Sequence, residues 1–378
     1  MLHRRAFLAS AATTAFAITP IAGCALSPTP IAVLSSFPRA PQSPRLTNRT
    51  ITRIALTSCS DPTMDLSLFG DVEAAKPDLV LMMGDNVYGS GSPTDPELPS
   101  LKEAYEKLAQ SPSFRSLVSS TPTEAVWDDH DYGVNDGGGD FAYKKRAQAM
   151  FSTFWNVPAN SPIRHRPGIY RAFRIGQAGQ VLQVILLDTR FFRDPLVPTD
   201  ERNAPGKERY IPYSSTSEAD VLGPDQWAFL ADELKKPADV RLIISSIQVI
   251  ADGHGYERWG NFPRAQQRLY DLIAETKAQG VVFGSGDRHY GSMHQIRSGV
   301  AYPLTDITAS GINKAFRTEP GSTAVREPAT TRLGDGYGPV NFGLIDLDWA
   351  GRSLTLKLAG RGGEVVASTR LSLVDLKV

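Results

Sequence analysis

Four short apolar runs in this chain each stop in a cluster of polar, chemistry-bearing residues, and this repetition constrains the fold more than any other feature. The runs cover 51–57, 79–83, 125–127 and 281–285. The clusters that follow them are Ser58-Cys59-Ser60-Asp61, Gly84-Asp85-Asn86-Val87-Tyr88, Asp128-Asp129-His130-Asp131 and Gly286-Asp287-Arg288-His289. Apolar runs of this length, bounded by turn residues, read as strands in a buried sheet. Two more runs, 181–187 and 240–246, share the pattern, and helical candidates at 101–109, 143–155, 225–235 and 264–278 alternate with them. That alternation predicts a layered α/β fold. The end of the chain differs, with runs at 342–349, 353–358 and 365–373 separated by short turns, which read as an antiparallel meander on the same sheets.

In open α/β sheets the carboxyl ends of neighbouring strands form the crevice where ligands bind, so four polar strand ends point to one site. A single acid after a strand is ordinarily a turn residue or a helix cap. Four clusters together offer a thiol, a phenol, an imidazole and many carboxylates. Carboxylates that converge repel one another unless a cation lies among them, and the site therefore implies metal.

The amino terminus is read separately. Residues 1–23 open with His3-Arg4-Arg5 and run on through Ala6-Phe7-Leu8 into a small-residue apolar stretch broken by Pro20, which reads as an export signal. Arg4-Arg5-Ala6-Phe7-Leu8 resembles a twin-arginine signal, and Ile21-Ala22-Gly23-Cys24 resembles a bacterial lipobox that would lipidate Cys24. The alternative is that Cys24 merely lies near a signal-peptidase site. The expectation is an exported bacterial protein, periplasmic or held on a membrane as a lipoprotein. Residues 24–50 carry five prolines and no sustained periodicity, which reads as a tether, leaving 51–378 as the folded body. With Cys24 lipidated, Cys59 is the one remaining thiol, and in an oxidising compartment it is either buried or coordinated.

Several classes are excluded or disfavoured. Equal numbers of basic and acidic side chains, 40 of each, remove the electrostatic case for bulk nucleic-acid binding. No G-x-S-x-G elbow and no phosphate-binding G-x-x-x-x-G-K-[ST] loop is present, which argues against a serine hydrolase and against nucleotide-driven work.

Taken together, Ser58-Cys59-Ser60, Gly84-Asp85-Asn86-Val87-Tyr88, the run from Trp127 to Asp136, and Ser285-Gly286-Asp287-Arg288-His289-Tyr290 resemble the alkaline phosphatase D (PhoD-like) branch of the metallophosphoesterase superfamily. Leu187-Asp188-Thr189-Arg190 and Trp259-Gly260-Asn261-Phe262-Pro263 look like further family segments, and the resemblance spans roughly 51–350. It implies a metallophosphoesterase-like β sandwich flanked by helices in α-β-β-α layers. It also implies that Cys59, Asp85, Tyr88 and His289 hold a ferric ion, with Asp85 bridging to a second cation. Asp287 and the loop from Asp129 to Asn135 would supply that second site, calcium in some relatives. Thiolate and phenolate are anionic donors suited to a high-valent transition ion, and carboxylate and amide oxygens suit a hard cation. The chain lacks the G-H-x-H pairing of His-rich dizinc sites.

Two cations bridged by Asp85 would polarise a phosphoryl oxygen and acidify a water for in-line attack. His130 is the candidate for leaving-group protonation or phosphate contact, or else a partner of a metal ligand. Arg288 or Arg190 would neutralise phosphate oxygens, unless Arg190 is the ion-pair partner of Asp188. His254, on the stretch Asp252-Gly253-His254-Gly255-Tyr256, reads as a surface histidine or as a residue at the mouth of the site. The expected substrate is a small-molecule or lipid phosphate ester. A phosphodiesterase or phospholipase on the same site, and a metal-holding surface lipoprotein without turnover, are the competing readings.

Overall fold

The computed structural model describes residues 32–89, 94–316, 321–325 and 327–378. The expected export signal, Cys24 and the start of the Pro-rich segment lie outside these residues. In chain order, β1 (Arg53–Thr57), α1 (Leu68–Ala74), β2 (Leu79–Met83), α2 (Pro99–Gln110), α3 (Pro112–Ser120) and β3 (Thr123–Val126) form a first parallel unit. A short α4 (Asp129–Tyr132) and α5 (Lys144–Phe154) lead to β4 (Arg171–Ile175), β5 (Leu182–Leu186) and the small pair β6 (Val197–Pro198) and β7 (Tyr210–Ile211). A second parallel unit follows, with α6 (Gly223–Leu234), β8 (Val240–Ile244), α7 (Pro263–Glu275) and β9 (Val281–Ser285). The chain closes with β10 (Gly291–Ile296), β11 (Leu304–Ala309), β12 (Ala324–Val325), β13 (Gly336–Tyr337), β14 (Phe342–Asp348), β15 (Ser353–Ala359) and β16 (Val365–Ser372).

These strands form one sheet in the order β16-β15-β14-β1-β2-β3 and a second in the order β12-β13-β10-β11-β9-β8-β5-β4. The central strands β2 and β8 are buried at every position, as strands covered on both faces must be. The sheets meet face to face: Ile54, Ile345, Leu347 and Leu354 of the first surround the same small interior space as Leu182, Val240, Leu242 and Val282 of the second. Helices cover the outer faces, and α2 and α7 each bury one stripe. In α2 that stripe is Leu101, Ala104, Tyr105 and Leu108, and in α7 it is Ala265, Leu269, Tyr270 and Ile273, both at helical spacing. The layered α/β sandwich expected from the sequence is the fold observed. The carboxyl-terminal meander joins the first sheet through β14, which pairs antiparallel with β1.

The Pro-rich segment corrects one expectation. Its described part is docked and not a free tether. Phe37 is buried and meets Tyr105 edge-on with ring centroids 5.7 Å apart, Ala40 N donates to Phe154 O at 2.9 Å, and Ser43 Oγ accepts from Thr123 N at 2.8 Å. Burying one aromatic ring stabilises by about 2 kcal/mol, and prolines lower the chain entropy lost on docking. No helix among the described residues is long and apolar enough to cross a membrane.

Candidate metal centre

Backbone geometry at the strand ends brings the polar clusters together. Just past β1, β2 and β9, the residues Cys59, Asp85, Asp287 and His289 have φ of 58°, 50°, 67° and 59°. Left-handed backbone is strained for Cys and His, and such strain persists where the surroundings over-determine it, as at ligand-holding turns. Two glycines allow the strand ends to close in. A Cβ on Gly84 would lie 2.5 Å from Asp128 Cβ, and one on Gly286 would lie 2.6 Å from Ser58 Oγ. Asp131 fastens the ends of β2 and β3, accepting from Asp128 N at 2.5 Å, Asn86 Nδ2 at 2.6 Å and Asp85 N at 3.2 Å.

Three groups of ligand atoms result, each with its members within 4.8 Å of one another: Cys59, Asp85 and His289; Asp85, Asp129 and His130; and Asp85, Asp128, Asp129 and Asp287. Asp85 belongs to all three. On one side of it, Tyr88 Oη donates to Asp85 Oδ2 at 2.9 Å and lies 3.1 Å from His289 Nε2, while Cys59 Sγ is 3.6 Å from the same carboxylate oxygen. On the other side lie carboxylates and the His130 imidazole. There, Asp128 Oδ2 and Asp129 Oδ1 are buried without any hydrogen-bond partner. Buried polar atoms are almost always paired, so two orphaned carboxylate oxygens beside Asp85 are the mark of a place for a cation. The donors divide by chemistry, with thiol, phenol and imidazole on one side and carboxylates with the His130 imidazole on the other, a set that suits metal ions.

The electrostatics agree. Burial and the neighbouring Asp129 push Asp85 well above the usual carboxylate range, and the same causes push Asp287 up to about 8. Burial raises the Cys59 thiol to about 11 and lowers His289 to about 4. Burial would raise Asp129 too, but the charges of His130 and Arg190 and the Asp136 N–H hold it low. Positive charge placed among these groups would favour the ionised carboxylates and thiolate and the neutral imidazole, which are the ligating forms.

Around this centre the other expected residues take varied places. His130 stacks on Tyr88 with ring centroids 4.2 Å apart, and its backbone N donates to Asp85 Oδ1 at 3.3 Å. Arg288 is nearly buried, ion-paired with Glu327, and carries its guanidinium 4.2 Å from the Tyr256 ring, while its Nε has no partner. Asn135 is exposed and donates its amide to Asp136 Oδ2 at 2.7 Å, at the margin of the carboxylate group. Arg190 requires a correction. It is fully buried, its Nε donates to Asp128 Oδ1 at 2.6 Å and its Nη1 to Glu257 Oε2 at 2.6 Å, so its guanidinium is taken up by two buried carboxylates. From Arg190, Asp188 accepts the backbone N–H, at 3.0 Å, and it also accepts from Trp127 Nε1, Ile169 N and Phe191 N.

Sequence reasoning did not nominate Asp128, Ser310 or Glu257. Asp128 stands in the same run as Asp129, and the pair of adjacent acids was the available signal. Ser310 Oγ lies 3.0 Å from Cys59 Sγ, and Glu257 joins Arg190 from a distant loop; nothing local marks either.

Two stacked sheets thus gather candidate oxygen, nitrogen and sulfur ligands at their strand ends. The model of the PhoD-like phosphatase family matches residues 54–332, and the chain belongs to that family. Among solved structures it is similar to PhoD, with a TM-score of 0.64 and 14% identity over 88% of this chain and 70% of that one. It is also similar to GAP50, the anchor in the inner membrane complex of Plasmodium, with a TM-score of 0.51 and 15% identity over 86% of this chain and 89% of that one. At such identities the likeness is one of fold. No curated protein sequence matches the chain.

Proposed function

We propose that this protein is an exported phosphatase that uses two kinds of cation, ferric iron and calcium, to hydrolyse phosphate esters of small molecules or lipids. The observation that carries the reading is the membership of Asp85 in every ligand group, between Cys59 and His289, with Tyr88 beside them, on one side and the carboxylates with His130 on the other. Cys59, Tyr88 and His289 would hold the iron, and Asp128, Asp129 and Asp287 the calcium, with Asp85 shared. Such cations, when bound, supply Lewis-acid stabilisation of phosphoryl oxygens and a nucleophilic water.

The chain's own groups do the rest. The position of His130, stacked on Tyr88 and beside Asp85 and Asp129, suits proton donation to the leaving oxygen. Arg288, whose buried Nε has no hydrogen-bond partner, is the candidate guanidinium for phosphate oxygens. The test is elemental analysis of purified protein combined with turnover of a panel of phosphomonoesters and phosphodiesters. The expected result is iron and calcium bound, with monoesters cleaved. Cleavage confined to diesters would make it a phosphodiesterase, and bound metal with no turnover would make it a metal-holding protein.

For location we propose export through the Arg4-Arg5 signal and anchoring at Cys24. The support is sequence alone: the twin arginines, the apolar stretch and the small residues before the cysteine. Cys24→Ser should move active protein from the membrane fraction to the soluble one. Retention on the membrane after signal cleavage would sink the anchor.

A further inference from the structure

We propose that Glu257 is the positioning residue that sets both Asp128 and Asp129 for a cation, acting through two arginines. The inference rests on the metal reading of the centre given above. Glu257 is 1% exposed and lies on the loop between β8 and α7, outside all three ligand groups. Its Oε2 accepts from Arg190 Nη1 at 2.6 Å, and its Oε1 is ion-paired with Arg193 Nε at 2.8 Å. Each arginine continues to a different carboxylate. Arg190 Nε donates to Asp128 Oδ1 at 2.6 Å. Arg193 Nη2 donates to the Asp136 carbonyl at 2.5 Å, and the Asp136 N–H donates to Asp129 Oδ2 at 2.7 Å.

Both arms therefore end in the same way. One oxygen of each aspartate is held from behind, by Arg190 or by the Asp136 N–H, and the other, Asp128 Oδ2 or Asp129 Oδ1, is buried and free. A carboxylate pinned through one oxygen presents the other in a fixed direction, and that is how groups behind a ligand tune metal affinity. Glu257 is suited to this as the shared counter-ion of two guanidiniums that have no exposed surface. Their turn is itself fixed, with Asp188 Oδ1 accepting from Arg190 N at 3.0 Å and Phe191 N at 2.9 Å.

Replacing Glu257 by glutamine keeps the shape but removes the charge. Two buried cations would then face each other across an amide, one of whose ends is a donor that no guanidinium can accept from. Arg190 would turn more fully onto Asp128 and compete with a cation for its free oxygen.

The experiment uses the full-length protein stripped of metal and two probes. Calcium binding by titration calorimetry reads the carboxylate side, and the thiolate absorption of added cobalt(II) reads the Cys59 side. Glu257→Gln should weaken calcium binding by about 10- to 100-fold while leaving the cobalt titration unchanged. Glu257→Asp, which retains the charge on a shorter stem, should recover part of the loss. Should Glu257→Gln fail to fold, Arg193→Lys, which loses the fork but keeps the charge, serves in its place, with about a tenfold loss confined to calcium. Folded Glu257→Gln protein with wild-type calcium affinity would overturn the inference, and so would equal losses of calcium and cobalt, since a general disturbance of the fold moves both. Wild-type protein that takes up cobalt but no calcium would instead overturn the reading of the carboxylate side on which the inference rests.

Discussion

The larger sheet holds a second buried polar cluster, and it contrasts with the metal centre in one respect. There, Gln248 Nε2 donates to Thr308 Oγ1 at 2.9 Å and Gln248 Oε1 lies 3.0 Å from His254 Nε2. Asp306 accepts from Ser285 Oγ at 2.8 Å and from Val249 N at 2.8 Å, and His294 lies between Ser292 Oγ at 3.1 Å and Thr331 Oγ1 at 3.0 Å. Each of these side chains finds its partners within the protein, whereas Asp128 and Asp129 each keep a bare oxygen. Both clusters lie near the ends of the same strands, with Ser285 in one and Asp287 in the other. A satisfied network stabilises and specifies the fold, and an unsatisfied one of like charges waits for a ligand. Polarity and burial do not separate the two regions; the orphaned oxygens do.

The largest expected difference between the clusters is in activity. Asp85→Asn removes the charge shared by every ligand group and should lower phosphate-ester turnover beyond the roughly 10² to 10⁴ expected when general-acid help is lost in His130→Ala. Turnover of an aryl phosphate at matched protein concentration measures both, and an Asp85→Asn enzyme more active than His130→Ala would move the centre elsewhere. Asp306→Ala should show the reverse pattern. It strands two backbone N–H groups, of Val249 and Ile250, and leaves Ser285 Oγ with Thr308 Oγ1 alone, at a cost of roughly 4 kcal/mol in urea unfolding, with turnover unchanged in the protein that remains folded. A loss of turnover per folded molecule would show that the two clusters are one.

A smaller effect concerns acid. Burial lowers His294 from 6.5 to about 4, so the unfolded chain takes up this proton before the folded one does. Its contribution to stability is thus complete above pH 6.5 and is lost as pH falls toward 4, by at most roughly 3 kcal/mol. His294→Gln should flatten the stability profile across that window, and an unaltered profile would contradict the assignment of His294 as a neutral, structural group.

The comparison also explains what the sequence disclosed. Strand ends were legible because a parallel strand buried on both faces is an unbroken apolar run, and β2 and β9 occur where such runs stop at Met83 and Ser285. Residues that follow directly, such as Asp85 and Asp287, were therefore legible too. His254 was not. Its glycine neighbours suggest a surface loop, yet it is 1% exposed because Gln248 gives it a partner inside. The docked Phe37 was hidden for a similar reason, since its partner Tyr105 is far along the chain. Glu257 and Arg193 escaped notice because ion pairs between loops leave no periodic trace in either segment.

The central claim is that Asp85 is shared by two cations of different chemistry. Long-wavelength anomalous diffraction from crystals of the metal-loaded protein tests it most directly. The account predicts two peaks on either side of the Asp85 carboxylate, about 3.5 to 4 Å apart, one against Cys59, Tyr88 and His289 and the other against Asp128, Asp129 and Asp287. A single peak that leaves Asp128 Oδ2 and Asp129 Oδ1 bare, or peaks that do not touch Asp85, would contradict it.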